Sequence, residues 1–289
     1  MTEPSLLEIE DLKISFPTPR GLHQVVRGVS LRVGREKVGI VGESGSGKSQ
    51  TGRAILGLTP KHARVEAKRM SFDGIDLHAA SERQMRRIRG NRISMVLQDP
   101  KFSLNPLIRV GAQVSEAYRL HHRINAAQAQ RRTLEMLASV RIRDPERVYR
   151  LFPHELSGGM GQRVMIAMML ISEPELIIAD EPTSALDVTV RRQVMEVLGE
   201  LVERRGAGLM LISHDLNLVA EYCDRVLVMY AGRIVEALPA RELHQARHPY
   251  TRGLLESLPR LDRKRELLPV LTRDPTWRDA PSLPLEEIR

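Results

Sequence analysis

The segment G-E-S-G-S-G-K-S, residues 42–49, has the residue types and spacing that phosphate recognition requires. Gly42, Gly45 and Gly47 keep side chains out of the way, so the N–H groups around Glu43, Ser44 and Ser46 can curl about phosphate oxygens. Lys48 then reaches the β and γ phosphates of a nucleotide, the Ser49 hydroxyl can ligate Mg2+, and Gln50 follows as the helix begins. A second segment, LIIADE, ends in Asp180 and Glu181 and supplies what such a loop lacks. Asp180 is suited to hold Mg2+ through its water shell, and Glu181 to polarise a water attacking the γ-phosphate. A glycine-rich turn with a surface lysine, or an acidic turn or helix cap, would use each set of residues separately. Phosphoryl transfer uses both, because it needs positioning and charge neutralisation more than covalent help.

These residues need particular elements behind them. The apolar run KVGIVG predicts a strand feeding the loop, and Ala54, Ile55 and Leu58 have helical spacing up to the stop at Thr59-Pro60. The run 176–179 before the two acids predicts a central parallel strand with its carboxylates at the C-terminal end, and GLMLISHD predicts another. Val190, Val194, Val197, Leu198 and Leu201 form a helical stripe closed by Gly206. Residues 6–16 alternate roughly apolar and polar, and VVRGVSLRVG follows a PTPRG break, so the chain opens with antiparallel strands. Between about 100 and 172 the spacing turns helical: Val110, Val114, Ala117 and Leu120 mark one helix, and Asn125 caps another running through Val140. GQRVMIAMMLIS is apolar nearly all round and reads as a buried helix, and RVLVMYAGRIVE as a hairpin about Ala231-Gly232. A Pro- and Arg-rich tail of weaker periodicity follows residue 240, and no repeat of 20–50 residues is present.

Composition bounds the partners. At 289 residues and 42% apolar content the chain can bury a large core, which excludes global disorder. The single cysteine, Cys223, excludes an intramolecular disulfide, a four-thiolate zinc site and a cysteine-held iron–sulfur cluster, and fits a reducing compartment. No apolar run approaches the roughly 18–20 residues of a bilayer span, and the acidic start MTEPSLLEIE does not read as a signal peptide. The net charge of +8 favours an anionic neighbour, while 3% aromatics argues against single-strand base stacking. The Arg-rich SERQMRRIRGNR, residues 81–92, lacks base-reading neighbours and reads as a solvated face, so no nucleic-acid partner is expected.

LSGGMGQRVMIA, residues 156–167, lies between the phosphate loop and the acidic strand, and in that order the motifs resemble the ATP-binding cassette (ABC) ATPases of transporters. The resemblance covers about residues 5–260. It implies an α/β P-loop cassette with an N-terminal antiparallel β subdomain, a helical subdomain and a C-terminal extension, divided as 1–240 and 241–289. It also implies that Ser157, Gly158, Gly159 and Met160 reach across a dimer to the γ-phosphate held by the partner, a role suited to a hydroxyl and free amides at a helix N-terminus. Gln98 matches the glutamine sensing Mg2+ and the attacking water, Asp187 the loop pairing two cassettes, His214 the switch histidine on the γ-phosphate, and Phe16 the aromatic stacking on adenine. QDPKFSLNP and the stretch HPYTRGLLESLP, residues 248–259, are similar to the ATPases of dipeptide, oligopeptide and nickel importers. One departure stands out: many of these relatives carry Arg after the LSGG-Met, where this chain has Gly161.

The implied cofactors are ATP and Mg2+. The implied partners are a second ABC ATPase, the same chain or a distinct homologue, two permease subunits docking on the helical insertion, and an extracytoplasmic substrate-binding protein. The chain is then expected at the cytoplasmic face of the inner membrane. A nickel or metal-chelate importer, a soluble ABC ATPase of translation or DNA repair, and a nucleotide-regulated module without turnover remain open. Glu181 and His214 weigh against the last, because degenerate cassettes lose such residues.

Overall fold

The computed structural model describes residues 5–184, 186–257 and 274–288, so Ala185 of the SALDV segment and residues 258–259 of the HPY stretch lie outside the described residues. The strands follow as β1 (Leu7–Thr18), β2 (Gly21–Val33), β3 (Lys37–Val41), β4 (Arg64–Glu66), β5 (Arg69–Phe72), β6 (Ile75–Asp76), β7 (Ile93–Val96), β8 (Leu176–Asp180), β9 (Gly208–Ser213), β10 (Arg225–Tyr230) and β11 (Arg233–Pro239). The chain divides into two compact units, Met1–Ala79 with Leu211–Arg289, and Ala80–Met210.

The first unit opens on an antiparallel sheet of order β2-β1-β5-β6, with β4 also on β1. Leu7 and Ile9 are buried at odd positions and Leu12 and Ile14 at even ones. Strict alternation would turn one pair outward. The partner register steps by two residues, Leu31 to Val29, while β1 steps by three, Ile9 to Leu12, so one residue is extra. That bulge, with Asp11 at φ +53°, keeps both pairs on the core side. The PTPRG break is shorter than its sequence implies: only residues 19–20 separate β1 from β2.

β3 runs parallel to β10, and β10 and β11 form the expected hairpin, with Tyr230 opposite Arg233 and Ala231 and Gly232 both at positive φ. The helix after the phosphate loop, Lys48–Ile55, ends before Leu58. Gly57 at φ +59° closes it: Gly57 N–H donates to Ala54 O at 2.9 Å and Leu58 N–H to Arg53 O at 2.8 Å. Leu58, expected on the apolar face, is therefore about half exposed at 49%. Burial pushes the Cys223 thiol up to about 12, which makes it inert.

The second unit has β7 parallel to β8, with Val96 opposite Ala179. The helical insertion holds Val110–Arg119, Ala126–Ser139, Pro145–Arg150 and Gly158–Leu170. Asn125 caps the second of these as expected, its side chain accepting from Gln128 N–H at 2.9 Å while Gln128 accepts from Asn125 N–H. The stripe on Val110–Arg119 differs from the expected one. Val110 and Val114 are buried, but Leu120 lies past the helix end and is 74% exposed; Gln113 is buried instead, bonding Asn105 N–H and the carbonyls of Asn105 and Ile108. The Arg-rich run forms the helix Glu82–Ile88, whose Glu82 carboxylate pairs with Arg89 at 2.8 Å and Arg86 at 3.4 Å.

Candidate nucleotide site

In the first unit, β3 delivers the chain into the phosphate loop at its C-terminal end. Gly42 is there of necessity: a Cβ would stand 2.1 Å from Met229 O of β10, so the loop lies directly on the next strand. Gly45 and Gly47 take φ of +83° and +102°, which turn the loop up to the helix Lys48–Ile55. Ser44 and Gly45 are exposed at the loop's tip, Ser46 is buried, and Ser49 and Gln50 are half-buried.

Lys48 is only 6% exposed, yet its ammonium is satisfied. It donates to Gly42 O at 2.7 Å, Glu43 O at 2.9 Å and Ser46 Oγ at 3.4 Å, all within its own loop. Carbonyl dipoles thus hold a charge that a phosphate would hold better. Gln50 Oε1 is buried and has no hydrogen-bond partner among the described residues. The glycine cradle, the collared cation and this orphaned oxygen fit a nucleotide phosphate with Mg2+ at the Ser49 end of the loop. His214 is exposed just past β9, between Ser213, whose Oγ accepts from Asp215 N–H at 3.0 Å, and Asp215, which caps the helix Leu216–Tyr222. Phe16, half-buried near the end of β1, meets His62 edge-on at 5.9 Å.

In the second unit, Gln98 and the pair Asp180-Glu181 leave the C-terminal ends of two adjacent parallel strands, where open α/β sheets place ligand groups. Asp180 is 5% exposed and Gln98 is exposed. Glu181 is half-buried at φ +51°, a costly backbone for a non-glycine residue. The turn that holds it is tied to the helix Gly158–Leu170: the Gln162 amide, 1% exposed, donates to Pro182 O. Sequence reasoning missed Gln162, although a glutamine in a helix that is apolar nearly all round, with only Arg163 charged, is a signal of a buried polar tie.

Ser157 caps Gly158–Leu170, its hydroxyl accepting from Met160 N–H at 3.4 Å, and Ser157 and Gly158 are exposed. Gly159 packs so closely that a Cβ would come 2.6 Å from Val190 Cγ1, fixing the segment against the helix Val188–Arg205. Asp187 is exposed and caps that helix through Val190 N–H at 3.0 Å. Gly161 is different. A Cβ there would meet Pro100 Cγ at 3.5 Å, an ordinary contact, in a helical backbone. Gly161→Ala should therefore stabilise the chain by about 0.5–1 kcal/mol and raise the thermal midpoint by roughly 1–3 °C, as calorimetry would show. A lower midpoint would mean that Pro100 cannot accommodate the methyl.

Residues 26–184 match the family model of the ABC transporter, and residues 235–282 that of the oligopeptide/dipeptide transporter C-terminal region. The chain belongs to the ABC transporter ATP-binding family. This cassette is 47% identical over 260 residues to the oligopeptide transport ATP-binding protein OppD of Salmonella typhimurium, covering 89% of this chain and 77% of that one. It is 46% identical over 260 residues to the dipeptide transport ATP-binding protein DppD of Bacillus subtilis, covering 89% and 78%. Among solved structures it is similar to the ATP-binding cassette MJ0796, a dimer bound to ADP and Pi after hydrolysis, with TM-score 0.73, 28% identity and coverage of 81% and 99%. Its fold is that of an α/β ABC cassette, and its activity is ATP hydrolysis.

Proposed function

We propose that this cassette energises a bacterial importer of di- or oligopeptides. The observation that carries the reading is the match of residues 235–282 to the peptide-transporter C-terminal region, behind the cassette match. The peptide-transport names of relatives at 46–47% identity favour it over a metal-chelate importer or a soluble ABC ATPase.

In this reading Lys48 exchanges the carbonyls of Gly42 and Glu43 for phosphate oxygens of ATP, while loop amides beyond Glu43, whose own N–H donates to the Tyr250 hydroxyl, serve the same anion. Phe16 stacks on adenine. Ser49, Gln98 and Asp180 are the residues that would hold Mg2+, which would neutralise phosphate charge when bound. Too few protein ligands for a cage is what such a site needs, because Mg2+ keeps waters and phosphate oxygens. Glu181 orients and deprotonates the attacking water, and His214 contacts the γ-phosphate. Ser157, Gly158, Gly159 and Met160 serve the nucleotide on a partner cassette, and Asp187 pairs the two. The exposure of Ser157, Gly158 and Asp187, with Val188 at 78%, leaves that surface available to a partner.

Among the described residues no helix is long and apolar enough to cross a membrane, so two permease subunits would supply the attachment at the cytoplasmic face and a binding protein would deliver cargo. Leu107, 84% exposed in the loop after Gln98, supports docking there, since a large apolar side chain in water gains by being covered. Tagged chain purified from membranes in mild detergent should bring down a second ATPase, permeases and a binding protein. Its ATP hydrolysis should rise with peptides, and Leu107→Asp should lose the permeases while still binding ADP. Recovery of ribosomes, DNA or no membrane partner would contradict the transport role. Stimulation by metal chelates instead of peptides would contradict the cargo class.

A further inference from the structure

The helix Pro249–Glu256 in the first unit carries Tyr250, whose side chain is fully buried. Its hydroxyl accepts a hydrogen bond from Glu43 N–H at 3.0 Å, across 207 positions of sequence. The carbonyl of that same peptide group belongs to Gly42 and accepts from Lys48 Nζ at 2.7 Å. One peptide group is thus held at its N–H by Tyr250 and at its C=O by the phosphate-binding lysine.

Neighbouring contacts fix Tyr250 in place. His248 Nδ1 caps the helix by accepting from Tyr250 N–H at 3.2 Å, and Glu236 of β11 accepts from His248 N–H at 3.1 Å and Arg247 N–H at 2.6 Å. The Tyr250 ring packs 4.4 Å from Tyr230, whose neighbour Met229 supplies the carbonyl against Gly42. Trp277 stands edge-on to both Tyr230, at 6.3 Å, and His248, at 5.9 Å. Gly232 N–H at the hairpin turn donates to Ser46 O at 3.0 Å, a second tie to the loop.

We propose that Tyr250 is a positioning residue for the nucleotide site, its hydroxyl setting the Gly42–Glu43 peptide and through it the resting place of Lys48. The inference rests on the loop being the ATP site. The C-terminal region then forms a wall of that site as well as an extension of the cassette, and anything that shifts Pro249–Glu256 alters how readily Lys48 is released to phosphate. Freed from the hydroxyl, the peptide can rotate, and nucleotide must reorder it on binding. The defect belongs to affinity more than to turnover, because the bound phosphate itself orders the loop.

The test is calorimetric titration of the full chain with ADP, with kcat and KM for ATP measured on the complex recovered from membranes. Tyr250→Phe keeps the ring and removes the acceptor. It should weaken ADP binding and raise KM about tenfold, with kcat changed less than about twofold. Lys48→Ala separates the two claims. If it loses ADP while Tyr250→Phe binds as wild type, the positioning role fails and the phosphate-loop reading stands; if it binds ADP normally, the loop reading itself fails. Should Tyr250→Phe not fold, hydrogen exchange on the native chain decides: the Glu43 amide is expected to be protected without nucleotide. Exchange at the rate of an open loop would overturn the inference.

Discussion

Glu181→Gln should keep ATP and lose turnover, by about 10²–10⁴-fold, the range that a positioned general base supplies. The amide has nearly the shape of the carboxylate, so the turn at φ +51° and its tie through Pro182 to Gln162 stay in place. What disappears is the group that takes the water's proton. With hydrolysis blocked, ATP should hold two cassettes closed, and gel filtration with ATP and Mg2+ should show the larger species. Lys48→Ala should behave in the opposite way. It removes a buried cation whose charge-assisted bonds are each worth about 1.5–3 kcal/mol, so ATP affinity should fall by a hundredfold or more and no closed dimer should form. A Glu181→Gln chain hydrolysing at the wild-type rate would remove Glu181 from the role of base.

Ser157→Asp should disable the site on the partner and leave this chain's own phosphate loop intact. Asp caps a helix as well as Ser does, so Gly158–Leu170 should remain folded. The carboxylate would nevertheless face the γ-phosphate across the dimer, where like charges repel. Mixing Ser157→Asp chains with Lys48→Ala chains should restore at most one working site per mixed dimer, formed by the loop of the first and the signature segment of the second. Recovery of full activity would contradict a shared site. Where the natural pair is heteromeric, the same substitutions belong in the complete complex, read as ATP hydrolysis per complex.

The phosphate loop and the acidic strand end could be picked out because each is a local pattern: the glycines and the lysine fall within residues 42–49, and the two acids are consecutive at 180 and 181. Much of the fold was legible for a similar reason, since buried strands such as β8 and β9 write continuous apolar runs. The run after the loop misled at Leu58, because Gly57 ends the helix by a backbone device that apolar spacing does not register. β7, four residues long and wholly buried, has no alternation to betray it. Leu120 had helical spacing but no neighbour to cover it, and Gln113 took a core position because its amide satisfies backbone groups of the Asn105 loop. Tyr250 was out of reach of any local pattern, because its importance lies in a contact with a segment at the other end of the chain.

The most direct test of the account is ATP hydrolysis by the membrane-derived complex rebuilt in lipid vesicles, with the binding protein and a peptide added on its side of the bilayer. Hydrolysis should rise several-fold only when binding protein and peptide are both present, and should collapse when this chain carries Glu181→Gln. Hydrolysis indifferent to peptide and binding protein, or undiminished by that substitution, would contradict the assignment of this chain as the ATPase of a peptide importer.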